Sequence, residues 1–128
     1  MDKNIKVGSG DYSVEAQLVV MGDDLVLSVI GGTHPHVGAV ALGIPRPSLK
    51  NFKEISSSVS VLSVVGHKDD HVARSMAEYV SASLNKRVVV IAGIHIDNAS
   101  ETEIKKLIKN CKDLAIKIVD YHKQCVNS

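Results

Sequence analysis

Four of the six histidines in this chain stand in three short polar clusters. These are Gly31-Gly32-Thr33-His34-Pro35-His36, Gly66-His67-Lys68-Asp69-Asp70 and Gly93-Ile94-His95-Ile96-Asp97-Asn98. In an extended segment side chains two apart share a face, so His34 goes with His36 and His95 with Asp97. Neutral imidazoles and carboxylates are the donor set of a divalent metal such as Mn or Mg. The candidate ligands are His34, His36, His67, Asp69, His95 and Asp97. Taken singly, a histidine at a strand end is a hydrogen-bonded rim residue. The repetition of the pattern at three glycine-flanked junctions is what points to one shared polar site.

The second cluster also suggests phosphate chemistry. It lies where a strand-like run, Val59 to Val65, gives way to helical periodicity, and a helix N-terminus with a nearby lysine can hold a phosphate. Asp69 and Asp70 oppose an anion unless a cation bridges them, and their alternative role is to cap the helix and balance its dipole. Arg46, between Pro45 and Pro47 on a stiff loop, is either a fork for phosphate or carboxylate or a plain surface cation. Gly31, Gly32 and Gly38 either admit a ligand to the backbone or serve turns.

Other chemistries find less support. No Gly-x-Gly-x-x-Gly or Walker pattern is present, which argues against a standard dinucleotide or nucleoside-triphosphate site. Ser48, Ser56 to Ser58 and Ser63 lack a nucleophile-elbow context. Cys111 falls on the apolar stripe of a helix and Cys125 in the tail. General acid–base work by His67 with Asp69, or His95 with Asp97, stays open.

The elements that must position these groups follow from periodicity. Tyr12 to Met21 reads as a strand, Gly22-Asp23-Asp24 as a turn and Leu25 to Ile30 as the returning strand. Val37 to Leu42 is a third, small-residue strand. The prolines of Ile44-Pro45-Arg46-Pro47-Ser48 argue against regular structure there. Ile55 to Val65 is a fourth strand. Val72, Ala73, Met76, Ala77, Val80 and Leu84 trace an amphipathic helix, capped by Asp69 or Asp70 and closed at Asn85-Lys86. Arg87 to Ala92 is a continuous apolar strand of the kind buried on both faces. Ser100 and Glu103 form a capping box for a last helix, and the tail from Tyr121 is expected to fray. The predicted class is α+β: a mainly antiparallel sheet in the order β-β-β-β-α-β-α, with helices packed on it and one parallel crossover pair at the C-terminal end.

Composition bounds the partners. A length of 128 residues with 45% hydrophobic residues supports one folded domain, residues 1–128. One Phe, three Tyr and no Trp, with a net charge of +1, argue against nucleic-acid binding by stacking or by phosphate contacts. No apolar run reaches the roughly 18 residues of a membrane span, and no signal peptide is read at the start. Two cysteines make no disulfide framework, so a cytoplasmic setting is expected.

The segments Gly31 to Ala41, Ser57 to Leu62, Gly66 to Asp70 and Ala92 to Asn98 resemble the prenylated-flavin chaperone family. That family includes the small D subunit accompanying gallate-type decarboxylases, and the resemblance runs from about Leu25 to the final helix. It implies a non-catalytic, homodimeric protein that binds prenyl-FMN (or FMN) as cargo and delivers it to an apo-decarboxylase of the UbiD type. It also implies a divalent metal near the phosphate, and a fold related to proteasome-assembly chaperones. Gly32, His34, His36, Gly38, Arg46, Gly66, Lys68 and Asp70 become the candidate cofactor contacts. The flavin would need an aliphatic wall, from Val37 to Leu42 or from Ile94 and Ile96. Met1 to Gly10 and the tail lie outside the resemblance and are expected to carry nothing. Two rivals remain: a metal-dependent enzyme acting on a phosphorylated or aromatic-acid substrate through His67 or His95, and a protein-assembly chaperone with no small-molecule ligand.

Overall fold

Strict alternation builds the first hairpin in the computed structural model, which describes residues 3–64 and 69–127. Val14, Ala16 and Leu18 are buried on β2 (Val14–Met21), and Leu25, Leu27 and Val29 on β3 (Asp24–Gly32). The two strands pair antiparallel through a turn in which Gly22 takes φ 62°. A period of two with one face buried fixes this register, because a slip by one residue would turn every Leu and Val to solvent.

Two segments outside the resemblance are structured. Lys3–Val7 forms β1, antiparallel to β2, and a 3-10 turn at Gly10–Tyr12 leads into β2. The strand is hard to read because it is five residues long and its lysines are those of a guarded sheet edge. The tail does not fray: the last helix continues to Asn127, and Tyr121 packs against the core with the Lys3 ammonium over its ring at 5.6 Å.

The remaining elements are β4 (Ala39–Pro47), β5 (Ile55–Ser63), α1 (Asp70–Leu84), β6 (Val88–His95) and α2 (Glu101–Asn127). They complete an α+β architecture with one six-stranded sheet in the order β1-β2-β3-β6-β4-β5. Its pairings are antiparallel except β3 with β6, which is the parallel pair. The strands joined through α1, β5 and β6, lie on either side of β4 rather than next to each other.

Pro45 and Pro47 correct a second expectation, since both lie inside β4. The ladder of β4 with β6 ends at Gly43↔Val88, and from Ile44 onward β4 pairs with β5 alone. On that unpaired side a missing N–H costs no ladder bond, so proline is tolerated as on an edge strand.

Both helices cover the same face of the sheet. Ala39 and Ala41 are fully buried on β4, and a side chain at Gly43 would collide with the Ala77 carbonyl and Ser81 hydroxyl of α1. Small residues on β4 therefore let α1 lie close on it, with the buried Ser81 hydroxyl donating to Ser57 at 2.6 Å. Leu107, Leu114 and Ile118 of α2 complete the core against Leu18, Leu27 and Val90.

Candidate functional site

The chain direction of each element puts one end of the sheet to use. β3 and β6 finish side by side, Gly32 opposite His95, and β4 starts beside them with Ala39 opposite Ala92. The segment 33–38 crosses this end. It is held by Thr33 N–H donating to the His95 carbonyl at 2.8 Å and Gly38 N–H to the Ala92 carbonyl at 2.9 Å. α1 also starts here, at Asp69, and α2 at Ser100 and Glu101. Three strand-to-loop junctions and two helix N-termini thus meet in one place.

Three of the histidines converge there. The His34 and His95 rings are 6.0 Å apart, and His36 stands edge-on to His95 at 6.0 Å. The Asp97 carboxylate bridges two of them, accepting from His95 Nε2 at 2.8 Å and facing His34 Nε2 at 3.2 Å, in an exposed position. The third pairs with Asp69: His36 Nε2 is 3.0 Å from Asp69 Oδ2, and Asp69 is 5% exposed.

Asp69 sits at the N-cap position of α1, yet its carboxylate makes no cap hydrogen bond. It turns inward, accepting the Ile94 N–H at 2.9 Å on one oxygen and His36 on the other. The capping role anticipated for it is corrected, because a buried carboxylate satisfied by a strand amide and an imidazole needs no helix amide. Glycine makes this packing possible. A Cβ at Gly38 would overlap the Asp69 carboxylate, and one at Gly93 would overlap the His36 backbone carbonyl. The space that Gly38 leaves is filled by Asp69, so this glycine builds the site rather than opening it to a ligand. Gly32 likewise faces the His95 backbone.

Both ring nitrogens of His36 face oxygens, Nδ1 the His34 carbonyl at 2.9 Å and Nε2 Asp69. A neutral imidazole carries one N–H and satisfies only one of them, so the arrangement favours the imidazolium. The His36 pKa is raised above the usual histidine value, first by the His34 carbonyl, with Asp69 adding and partial burial opposing.

The metal expectation finds no support among the described residues, and one of its candidate ligands, His67, lies outside them. Among the described residues, no three His, Cys, Asp or Glu side chains are arranged to hold a metal ion. The imidazole nitrogens point instead at carboxylate and carbonyl oxygens. Gly66, His67 and Lys68 lie outside the described residues. Asp70 opens α1, half-buried.

Arg46 is not part of the site. It stands near the other end of β4, where its guanidinium donates to the Ser58 hydroxyl at 2.8 Å and the Pro47 carbonyl at 3.1 Å. Its place in the candidate set is corrected: β4 runs away from the cluster, and eight residues of strand carry Arg46 roughly 25 Å from Gly38.

The cluster opens onto a cleft of about 380 Å³ between the N-terminal halves of α1 and α2. Asp69, His95, Ile94 and Ile96 all line it. The other proposed wall does not contribute: Val37 is 59% exposed on the crossing segment, and Val40 and Leu42 pair with Ile91 and Val89 on the helix-free face. Sequence reading missed His71, Ile104 and Ile108 on the same cleft. The available signal was an apolar stripe on α2 wider than packing on the sheet requires. Cys111 lies at the back, where burial, with the charge of Asp69 adding, pushes its thiol up to about 12. It is therefore packing, not a nucleophile.

Comparison with known proteins shows the family. Residues 8–123 match the prenylated flavin chaperone LpdD-like domain. Protein LpdD of Lactiplantibacillus plantarum is 29% identical over 112 residues, which span 86% of this chain and 77% of that protein. A chain from the crystal structure of a chaperone complex for yeast 20S proteasome assembly superposes with a TM-score of 0.61 at 17% identity, over 97% of this chain and 95% of that one. At that identity the likeness is one of fold. With the family's domain matched over most of its length, the chain belongs to the LpdD-like prenylated flavin chaperones.

Proposed function

We propose that the protein binds prenyl-FMN at the histidine end of the sheet and hands it to an apo-decarboxylase of the UbiD type, without catalysing a reaction itself. The observation that carries this reading is the family match across residues 8–123. The site's chemistry supports it. A polar rim of His34, His36 and His95 beside the first turn of α1 suits a phosphate and a ribityl chain. The adjoining cleft has aliphatic walls and lies within the size range of small-molecule sites. His67 and Lys68, next to Asp69 in the chain, join the proposed contacts, as does Asp70. The family assignment likewise favours a carrier over an enzyme, since a carrier needs no nucleophile. The mechanism contains no metal step.

A cytoplasmic homodimer completes the proposal. Among the described residues no helix is long and apolar enough to cross a membrane. The helix-free face of the sheet supports the second copy. Val26, Val89 and Leu42 form one cross-strand row there and Ile91, Val40 and Leu62 another, with no charge among them. A sheet with one solvated face normally alternates apolar with polar residues, and these strands do not. A flat, uncharged patch can pack on its own copy.

The test is direct. Purified protein is mixed with FMN or reduced prenyl-FMN, with and without Mn²⁺ or Mg²⁺, and freed of unbound flavin by gel filtration. Flavin absorbance that travels with the protein and then activates an apo-decarboxylase is the expected result. No retained flavin under any metal condition refutes the proposal.

A further inference from the structure

A second cleft continues the first. It too measures about 380 Å³, and the two share His71, Val72, Ile108 and Cys111. Together they make one groove that begins at Asp69 and His95 and runs between the helices as far as Tyr79 and Ile116. Val72, Met76 and Tyr79 form its α1 wall, at spacings of four and three. Ile104, Ile108, Cys111 and Ala115 form its α2 wall, at four, three and four. Each wall is thus one helical stripe.

These stripes are only partly spent on the core, which takes Met76, Cys111 and Ala115. Tyr79, Ile104, Ile108 and Ile116 are each between 41% and 47% exposed, and all four line this groove. Scattered surface hydrophobics are ordinary, but four along one concavity that ends in a cluster of imidazoles are not scattered.

We propose that this groove seats the ring system of the flavin cargo, with the ribityl phosphate directed to the histidine mouth. The placement rests on the prenyl-FMN reading and adds the location of the rings. Three features select this occupant. The groove is concave, whereas the patch suited to a second copy is the flat, helix-free face of the sheet. Its polarity is graded, with Asp69, His95 and His71 toward one end and a mainly apolar lining beyond, where Ser75 and Lys112 are the polar exceptions, which matches a molecule anionic at one end and apolar at the other. Its inner section holds the Met76 thioether and the Tyr79 ring, both of which favour contact with a flat π-system.

The groove is tested with Ile108→Glu and Ile116→Glu, both partly exposed and so expected to fold, with melting curves as the check. Each places a carboxylate against the rings and is expected to weaken retention of prenyl-FMN roughly tenfold or more. Leu49→Glu, at an 80% exposed position that does not line the groove, is expected to bind as wild type. Should Ile108→Glu fail to fold, Ile116→Glu at the other end of the groove carries the same test. Tyr79→Leu is expected to change the absorbance and fluorescence of the bound flavin. Wild-type retention by both glutamate variants overturns the placement while leaving the cofactor reading intact. So does a change in oligomeric state of either variant on gel filtration, which would assign the groove to a second copy. Failure of the wild type to bind flavin removes the cofactor reading and the placement with it.

Discussion

The two ends of the sheet use similar residues to opposite effect. At one end His34, His36, His95, Asp69 and Asp97 hold one another in a network that the crossing segment 33–38 closes. At the other, Arg46 bonds Ser58, and the loop 48–54 is tied by its own turn bonds, with Ser48 N–H to the Glu54 carbonyl at 2.8 Å. There the apolar groups Leu49 and Phe52 stand in solvent, 80% and 79% exposed. Both ends carry proline and charge, but glycine concentrates at the histidine end, where Gly31, Gly32, Gly38 and Gly93 meet. The difference lies in who occupies the space. At the histidine end each missing side chain is filled by another segment's backbone or carboxylate, and a change in one element is felt by three. At the hairpin end the hydrogen bonds run within β4, β5 and their loop. Pre-organisation is invested at one end only, where a rigid set of donors reduces the ordering cost of holding a ligand.

The contrast is sharpest where space is tightest. Gly93→Ala is expected to produce the largest loss, since its Cβ overlaps the backbone carbonyl of His36 and no rotamer relieves that contact. Overpacking against backbone costs about 3 kcal/mol. For a chain of this size that lowers the midpoint by about 10 °C in a thermal melt. An unchanged midpoint would show that the segment 33–38 is not held as described. Asp69→Ala comes next. It leaves the Ile94 N–H without its acceptor and His36 without its counter-ion, for about 2 kcal/mol. Flavin retention should fall with it if the network supports the cargo.

Why one end was legible and the other was not follows from particular residues. The alternation of Val14 to Leu18 with Leu25 to Val29, and the 3.6-residue stripe from Val72 to Val80, carry their own burial pattern, and the structure follows it. The capping box of Ser100 and Glu103 is present as read, with both reciprocal bonds formed at 3.1 and 3.2 Å. The meeting of the first and third clusters was readable because both sit at glycine-flanked strand ends. The departures have a common cause, which is that they depend on which strands become neighbours. Pro45 and Pro47 look like strand breakers until β6 is seen to begin only at Val88, opposite Gly43. Arg46 looks close to Gly38 until the intervening residues are laid out as a strand. Asp69 looks like a cap until Gly38 is seen to leave room for it to turn inward. Nothing local in Lys3–Val7 marks a strand apart from the partner it finds in β2.

Titration gives a finer probe of the histidine end. The His36 pKa is raised in the fold, chiefly by the His34 carbonyl and further by Asp69. A group with a raised folded pKa contributes its full stabilisation below its unfolded value, near 6.5 for histidine, and loses it as pH rises through the folded value. Wild type should therefore exceed His36→Gln in stability by more at about pH 6 than at about pH 9. Parallel denaturation curves at the two pH values measure this. A gap that widens toward high pH would reverse the sign and contradict an imidazolium held between two oxygens.

The smallest effect belongs to the hairpin end and tests the comparison from the other side. Arg46→Ala removes one hydrogen bond to Ser58 and one to Pro47 from a partly exposed position. Surface changes of this kind shift stability by no more than about 0.5 kcal/mol. Because β4 carries Arg46 away from the cluster, flavin retention should equal that of wild type, whereas a residue that forked the cargo's phosphate would cost about tenfold or more on removal. Equal retention would leave the phosphate to the imidazoles and the helix N-terminus at the far side of the sheet. Lost retention at unchanged stability would mean that a second copy brings its own Arg46 to this chain's site, since the length of β4 keeps the chain's own arginine out of reach.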